Sequence, residues 1–310
     1  MAHVIAIDIG TTKLCGVAVD EGGRVLAVAS RPNDAAIAGL PDGWHEQHPQ
    51  RIRGLACDIL REMASRVPDA PAAIGLTGQM HGLVAVDAAG GAVGNLITWQ
   101  DQRCLTPSET GRPAVLDELL ARVPAAAWEA CGCRAAGGYL AATLLWLVQT
   151  GRTAGVARVA CIADWLAGQL AGQLPVTDPT HAASAGVFDG ARGAWHAEAI
   201  SAAGLPEELL PPVTPSGAVI GRLTAAVAGS IGLPAGVPIV NAIGDNQASV
   251  LGSVAEPDAA LLLNLGTGGQ VSWAVPRFAR HPQTETRPLP GGRFRIVGAS
   301  LCGGRAYAWR

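Results

Sequence analysis

The chain has 310 residues, enough for two domains that each bury a core. Its residues are 49% apolar and 15% charged, with a formal net charge of −3. That balance excludes a disordered chain. With no basic run, nucleic-acid binding and docking to an anionic membrane lack electrostatic support. Asp8 interrupts the first apolar stretch and no basic region precedes it, so the N-terminus does not read as a signal peptide. The longest apolar run, Tyr139 to Val148, is too short to span a bilayer. A cytoplasmic location is expected. The seven cysteines are scattered. Cys131 and Cys133 form C-x-C with no second pair at metal spacing, which favours buried reduced thiols over a structural zinc site.

In chain order, residues 3–7 read as a strand that enters Asp8-Ile9-Gly10-Thr11-Thr12-Lys13 and returns as Leu14 to Val19. A turn at 20–23 leads to a third strand, Arg24 to Ala29. A helix is expected from about Pro49 to Met63, with Ile52, Leu55, Ala56, Ile59, Leu60 and Met63 on one face. A buried strand, Ala73 to Leu76, ends in Thr77-Gly78-Gln79-Met80-His81-Gly82, and Leu83 to Val86 reads as another. After Thr98-Trp99-Gln100-Asp101 comes a helical region from about Pro113 to Val148, broken at Gly132 to Gly138. Ala163 to Leu170 reads as helix, 174–188 as a loop-rich stretch, and Gly221 to Ile231 as a short helix. A buried strand, Val237 to Ala242, delivers Gly244-Asp245-Asn246 onto a helix at Gln247 to Leu251. A domain boundary is expected there, between 1–243 and 244–310.

The first hairpin recurs. Ala260 to Leu263 enters Asn264-Leu265-Gly266-Thr267-Gly268-Gly269 and returns as Gln270 to Val275, and Phe294 to Ala299 supplies the third strand. Backbone N–H groups of a Gly-rich turn can converge on phosphate oxygens, and Thr hydroxyls add donors. Two such hairpins facing each other suit a phosphate chain, which predicts an ATP-using phosphotransferase built from a duplicated unit. Gly and Thr also suit ordinary tight turns, and that alternative stays open.

Taken in order, these motifs resemble the FGGY carbohydrate kinases. The resemblance implies an α/β fold of the ribonuclease-H-like actin/hexokinase ATPase type. The first domain would be complete and the second partial, because nothing after Leu301 matches the later segments of the family. Asp8 to Lys13 is similar to the first phosphate motif and Asn264 to Gly268 to the second. Gly244-Asp245-Asn246 is similar to the segment that bears the catalytic base. Gly78 to Gly82 resembles the ketose-binding turn, and 43–47 another segment at the sugar pocket. Gln79 to Gly82, Thr98 to Cys104 and Ala141 to Trp146 resemble the sedoheptulokinase branch.

The resemblance implies ATP and Mg²⁺ as cofactors and a small ketose as partner, and it admits a homodimer. Asp245 would take the proton of a terminal sugar hydroxyl as the bond to phosphorus forms; the alternative is a helix N-cap. Asp8 would hold Mg²⁺ directly or through water, or be a solvated turn residue. Gly10, Thr11, Thr12, Gly266, Thr267 and Gly268 would meet phosphate, and Lys13 either phosphate or solvent. Gln79 and His81 would pair with sugar hydroxyls, with Met80 as an apolar wall. Trp99 and Trp44 would stack on the sugar or pack. Asp101 would accept from two sugar hydroxyls or bridge to Arg103. His45, His181 and His196 have no evident partner.

Phosphorylation of sedoheptulose is the leading activity, with xylulose or another ketose as the alternative acceptor. A non-catalytic sugar- or nucleotide-binding protein is the reading from another class.

Overall fold

The computed structural model describes residues 2–107, 111–256, 259–265, 269–280 and 283–300. The N-terminal strand β1 (His3–Ile9) alternates buried Ile5, Ile7 and Ile9 with Val4, Ala6 and Asp8 on the opposite face. This period of two lays one face on a core and leaves the other free for function. β2 (Lys13–Asp20) and β3 (Val25–Pro32) follow as an antiparallel meander. The helix α1 (Pro49–Arg66) lays the six residues named from its periodicity onto that meander. Its approach is close, since a Cβ at Gly16 would lie 2.2 Å from Ile59 Cγ2.

β4 (Ala73–Gly78) pairs parallel with β1. The sheet grows on its far side with β5 (Val219–Arg222), β6 (Pro238–Val240) and β7 (Ile243–Gly244). β6 and β7 run parallel to β4, and β5 is antiparallel to β6. The order is β5-β6-β4-β1-β2-β3, with β7 also on β4. Trp165, Leu166 and Leu170 of α5 (Ile162–Ala171), and Val227, Ala228 and Ile231 of α8 (Ala225–Ile231), share the core with α1.

A second core gathers α2 (Val115–Arg122), α3 (Ala125–Cys131), α4 (Leu140–Gln149) and α7 (Ala197–Ala203) around Trp128, Leu140, Leu144 and Ile200. The helical region expected from Pro113 to Val148 is therefore three helices. Gly132, at φ +69, ends α3 in the left-handed conformation. The stretch 174–188, expected to be loop-rich, contains α6 (Pro179–Ser184). Asp178 starts it, its Oδ1 accepting from the His181 N–H at 2.9 Å.

The second sheet consists of β8 (Leu261–Leu265), β9 (Gly269–Val275), β10 (Glu285–Leu289) and β11 (Arg293–Ser300), all antiparallel, in the order β8-β9-β11-β10. β8, β9 and β11 repeat the meander of β1, β2 and β3, as the duplicated pattern predicts. β10 is an additional strand that the sequence pattern did not reveal. Between the sheets, α9 (Asp245–Ser253) leaves directly from β7 of the first sheet, while its Val250 packs with Ala274 and Leu289 of the second. The chain thus passes from the first sheet to the second through α9. No helix among the described residues is long and apolar enough to cross a membrane.

Candidate active site

Three parallel strand ends define the site. Ile9 of β1 and Gly244 of β7 both align with Gly78 of β4, one on each side. The turns Gly10 to Lys13, Gln79 to Gly82 and Asp245-Asn246 therefore leave the sheet side by side. The carboxyl ends of parallel strands are where open α/β sheets collect ligands.

The first turn is tight. The Gly10 N–H donates to the Lys13 carbonyl at 3.1 Å, and a Cβ on Gly10 would sit 2.6 Å from that oxygen. Asn33 fixes the turn from outside, its Nδ2 donating to the Gly10 carbonyl at 2.9 Å. Asp8 projects from the non-core face of β1, and its carboxylate has no hydrogen-bond or ion-pair partner among the described residues. Desolvation pushes its pKa up, and the charge of Lys13 pulls it down.

A polar chain ties this turn to the second. Trp99 Nε1 donates to Thr11 Oγ1 at 2.9 Å, and Thr11 Oγ1 donates to Gln79 Oε1 at 3.3 Å. Gln79 Nε2 donates to Gln47 Oε1 at 2.9 Å, and Gln47 Nε2 returns to the Thr11 carbonyl at 3.0 Å. Trp99 stays 45% exposed. Thr12 and Lys13 complete the turn.

His81 sits at φ +71, the one non-glycine residue with positive φ among those described. Such strain persists where the surroundings hold it. Its N–H donates to Ser184 Oγ at 3.2 Å, and its Nδ1 lies 2.8 Å from the Ser184 carbonyl. A carbonyl only accepts, so Nδ1 carries the proton and Nε2 is the acceptor. The ring stacks on Tyr139 with centroids 4.0 Å apart. Burial, then the charge of Arg287, hold it neutral with a pKa down at about 3. Met80 is buried, and its thioether lies over the start of α9. A Cβ on Gly244 would come within 2.6 Å of Met80 Sδ.

Asp245 is the first residue of α9, but Gly244 occupies the cap position and no side chain caps the helix. Oδ1 of Asp245 accepts from the Asn246 N–H at 2.7 Å and from Asn246 Nδ2 at 3.3 Å. Oδ2 has no partner among the described residues and is free for a ligand. Burial and the nearby charge of Asp8 raise its pKa to about 6, against the Asn246 hydrogen bond and the cations His181 and Arg295.

Asp101 is engaged on both carboxylate oxygens. Its Oδ1 accepts from the backbone N–H and Nε of Arg103, and its Oδ2 from the His45 N–H and Arg103 Nη2, all at 2.8 to 2.9 Å. It is 2% exposed. Arg103 also donates to Glu46 Oε1 at 2.6 Å and lies 3.7 Å from the Trp44 ring centroid. With both oxygens engaged, Asp101 does not fit the role of a sugar acceptor. It and Trp44 hold the loop that presents Trp99. Gly266, Thr267 and Gly268 lie outside the described residues.

Two groups escaped the sequence reading. The first is His181, a buried ring whose Nδ1 lies 2.8 Å from Asp164 Oδ1. Burial opposes its charge, but Asp164, Asp178 and Asp245 outweigh this and push its pKa up to about 9. Thr180 beside it accepts from the Gly244 N–H at 2.8 Å, which fixes the residue before Asp245. Cys161, Asp164 and His181 have donor atoms within 4.8 Å of one another, but the Asp164–His181 contact uses their facing atoms, and burial holds the Cys161 thiol protonated. His196 caps α7. The second group is Arg287 and Arg295, which with Met80, His81, Tyr139 and Gln247 line a cavity of about 160 Å³ beside Asp245. A larger groove of about 840 Å³, between α3 and the second sheet, includes none of the predicted site residues.

A sheet of this topology, with the Gly10 to Lys13 turn and Asp245 at its strand ends, has the actin/hexokinase ATPase type of fold. The FGGY family of carbohydrate kinases, N-terminal domain, matches residues 3–252, and the chain belongs to this family. It is 30% identical over 274 residues to a glycerol kinase of Gloeobacter violaceus, covering 86% of this chain and 51% of the relative. It is 29% identical over 346 residues to the sedoheptulokinase of Homo sapiens, covering 98% and 67%. The crystal structure of xylulose kinase from Rhodospirillum rubrum is similar with a TM-score of 0.87 at 27% identity, covering 99% of this chain and 62% of that one. The chain thus spans about half to two thirds of the length of these relatives.

Proposed function

We propose that the chain serves ATP-dependent phosphorylation of a terminal hydroxyl of a ketose, with sedoheptulose the leading acceptor and sedoheptulose 7-phosphate the product. One observation carries this reading. Asp245, with one oxygen uncommitted and its pKa raised towards neutrality, stands beside the sugar-type turn Gln79 to Gly82 and near Asp8. A carboxylate in that place accepts the hydroxyl proton as transfer proceeds. Trp99 and Met80 border the sugar, and Gln79 and His81 Nε2 pair with its hydroxyls. Gly10, Thr11, Thr12 and Lys13 meet the phosphates, and the family resemblance gives Gly266, Thr267 and Gly268, which lie outside the described residues, the same role.

Asp8 suits Mg²⁺. It is an oxygen ligand with no protein partner, facing a second carboxylate whose pKa it raises. The ion would supply charge neutralisation on the phosphates. We place the division between two lobes at 243/244 and the protein in the cytoplasm. Xylulose is the second acceptor to test, because the chain resembles a xylulose kinase over 99% of its length. ADP release from Mg-ATP in the presence of each sugar tests the reading. A chain that binds sugar without turnover is instead a non-catalytic binding protein.

A further inference from the structure

Arg287 on β10 and Arg295 on β11 are directly opposite one another in the second sheet. Like charges in that relation repel, and both side chains are buried, at 5% and 4% exposure. Arg287 is fully engaged. It donates to Glu285 Oε2 at 2.8 Å, to the Ala183 carbonyl at 2.6 Å and to Tyr139 Oη at 3.0 Å. Arg295 is not. Its one hydrogen bond among the described residues is a long one, 3.3 Å, from Nη2 to Gln270 Oε1, and its Nε finds no acceptor. Burial and the charge of Arg287 depress its pKa to about 10, against the charges of Asp245 and Glu285.

A buried guanidinium left so under-bonded costs stability. It lines the cavity of about 160 Å³ beside Asp245, together with Gln247, whose Oε1 is also buried without a donor. His81 Nε2 adds a second acceptor to the same walls. The cavity therefore offers unmet donors and unmet acceptors together. A carboxylate supplies only lone pairs, whereas a hydroxyl supplies a lone pair and a proton.

We propose that Arg295 is a specificity-determining contact for a neutral polyhydroxylated acceptor, its guanidinium donating to one hydroxyl oxygen while Gln247 Oε1 and His81 Nε2 accept from others. The second sheet then forms one wall of the sugar pocket. This rests on the sugar-kinase reading above and deepens it.

The test compares the wild-type chain with Arg295→Gln by thermal unfolding without ligand and by calorimetric titration with sedoheptulose and xylulose, followed by ADP release. Arg295→Gln is expected to raise the unfolding midpoint by about 2 °C or more, because it removes a buried, under-bonded charge. It is expected to weaken sugar affinity about tenfold to a hundredfold, with the KM for ATP unchanged. A lowered midpoint, which marks Arg295 as a structural ion, overturns the proposal, and so does unchanged sugar affinity. Wild type that binds neither sugar overturns it together with the acceptor reading. Sugar binding that responds to the substitution, with no turnover, leaves Arg295 in its role and overturns only the kinase reading.

Discussion

Thr11 Oγ1 donates a hydrogen bond to Gln79 Oε1 at 3.3 Å, joining two turns that lie 68 residues apart in sequence. Thr11 belongs to the phosphate-type turn and Gln79 to the sugar-type turn. The same hydroxyl accepts from Trp99, so one atom positions both a phosphate loop and the exposed indole. Thr11→Val, which keeps the volume and removes the hydroxyl, is expected to raise the KM for the sugar as well as for ATP by about tenfold. Gln79→Ala is expected to do the same for the sugar, and the double variant to lose less than the sum. A full steady-state kinetic cycle over the four proteins checks this.

Asp245 links activity to pH and to stability. As a base it must be ionised, so kcat/KM is expected to fall as pH drops through about 6, the raised pKa of this group. Because the folded-state value lies above the usual one, ionisation in the native state weakens folding. The loss begins above the unfolded value near 3.8 and is complete above about 6. Asp245→Asn is therefore expected to abolish turnover by about a hundredfold or more. It should also stabilise the fold at pH 8 by on the order of 1–2 kcal/mol, allowing for partial exposure, and by little at pH 4. Thermal melts at the two pH values beside the rate measurement test both halves.

His81 tests a backbone strain. Both His81→Gly and His81→Ala lose the Tyr139 stacking and the Ser184 contact of the ring, and at φ +71 His81→Ala is expected to be about 1 kcal/mol less stable than His81→Gly. Both remove the Nε2 acceptor, and both are expected to raise the sugar KM alike. Denaturant melts and sugar titrations of the pair separate strain from recognition.

Asp101 and Arg103 form a buried ion pair with Glu46, and breaking such a pair from one side costs about 3–5 kcal/mol. Asp101→Asn is expected to lower the unfolding midpoint markedly while the folded fraction keeps its KM for sugar. A raised KM with an unchanged midpoint would return Asp101 to the sugar pocket.

The alternation of Ile5, Ile7 and Ile9 and the 3.6-residue spacing of Ile52 to Met63 made the first sheet and α1 legible, because both depend on local periodicity. The site turns were legible because Gly10, Thr11 and Asp245 stand at the ends of apolar runs. Whether Asp101 met a sugar or Arg103 was not legible, since the answer depends on where the Arg103 side chain turns after a one-residue gap. His181 and Asp164, 17 residues apart, pair only because α5 and α6 pack at the same strand ends. Arg295 was the least visible. An arginine on an alternating strand reads as solvent-facing, and its burial follows from β10, which no local pattern announced.

The most direct measurement is ADP release from Mg-ATP by this chain with sedoheptulose, xylulose, ribulose and glycerol, beside Asp245→Asn. The account predicts sugar-dependent release, highest with sedoheptulose, that the substitution abolishes. Release that does not depend on any sugar, or that survives the loss of Asp245, would contradict it.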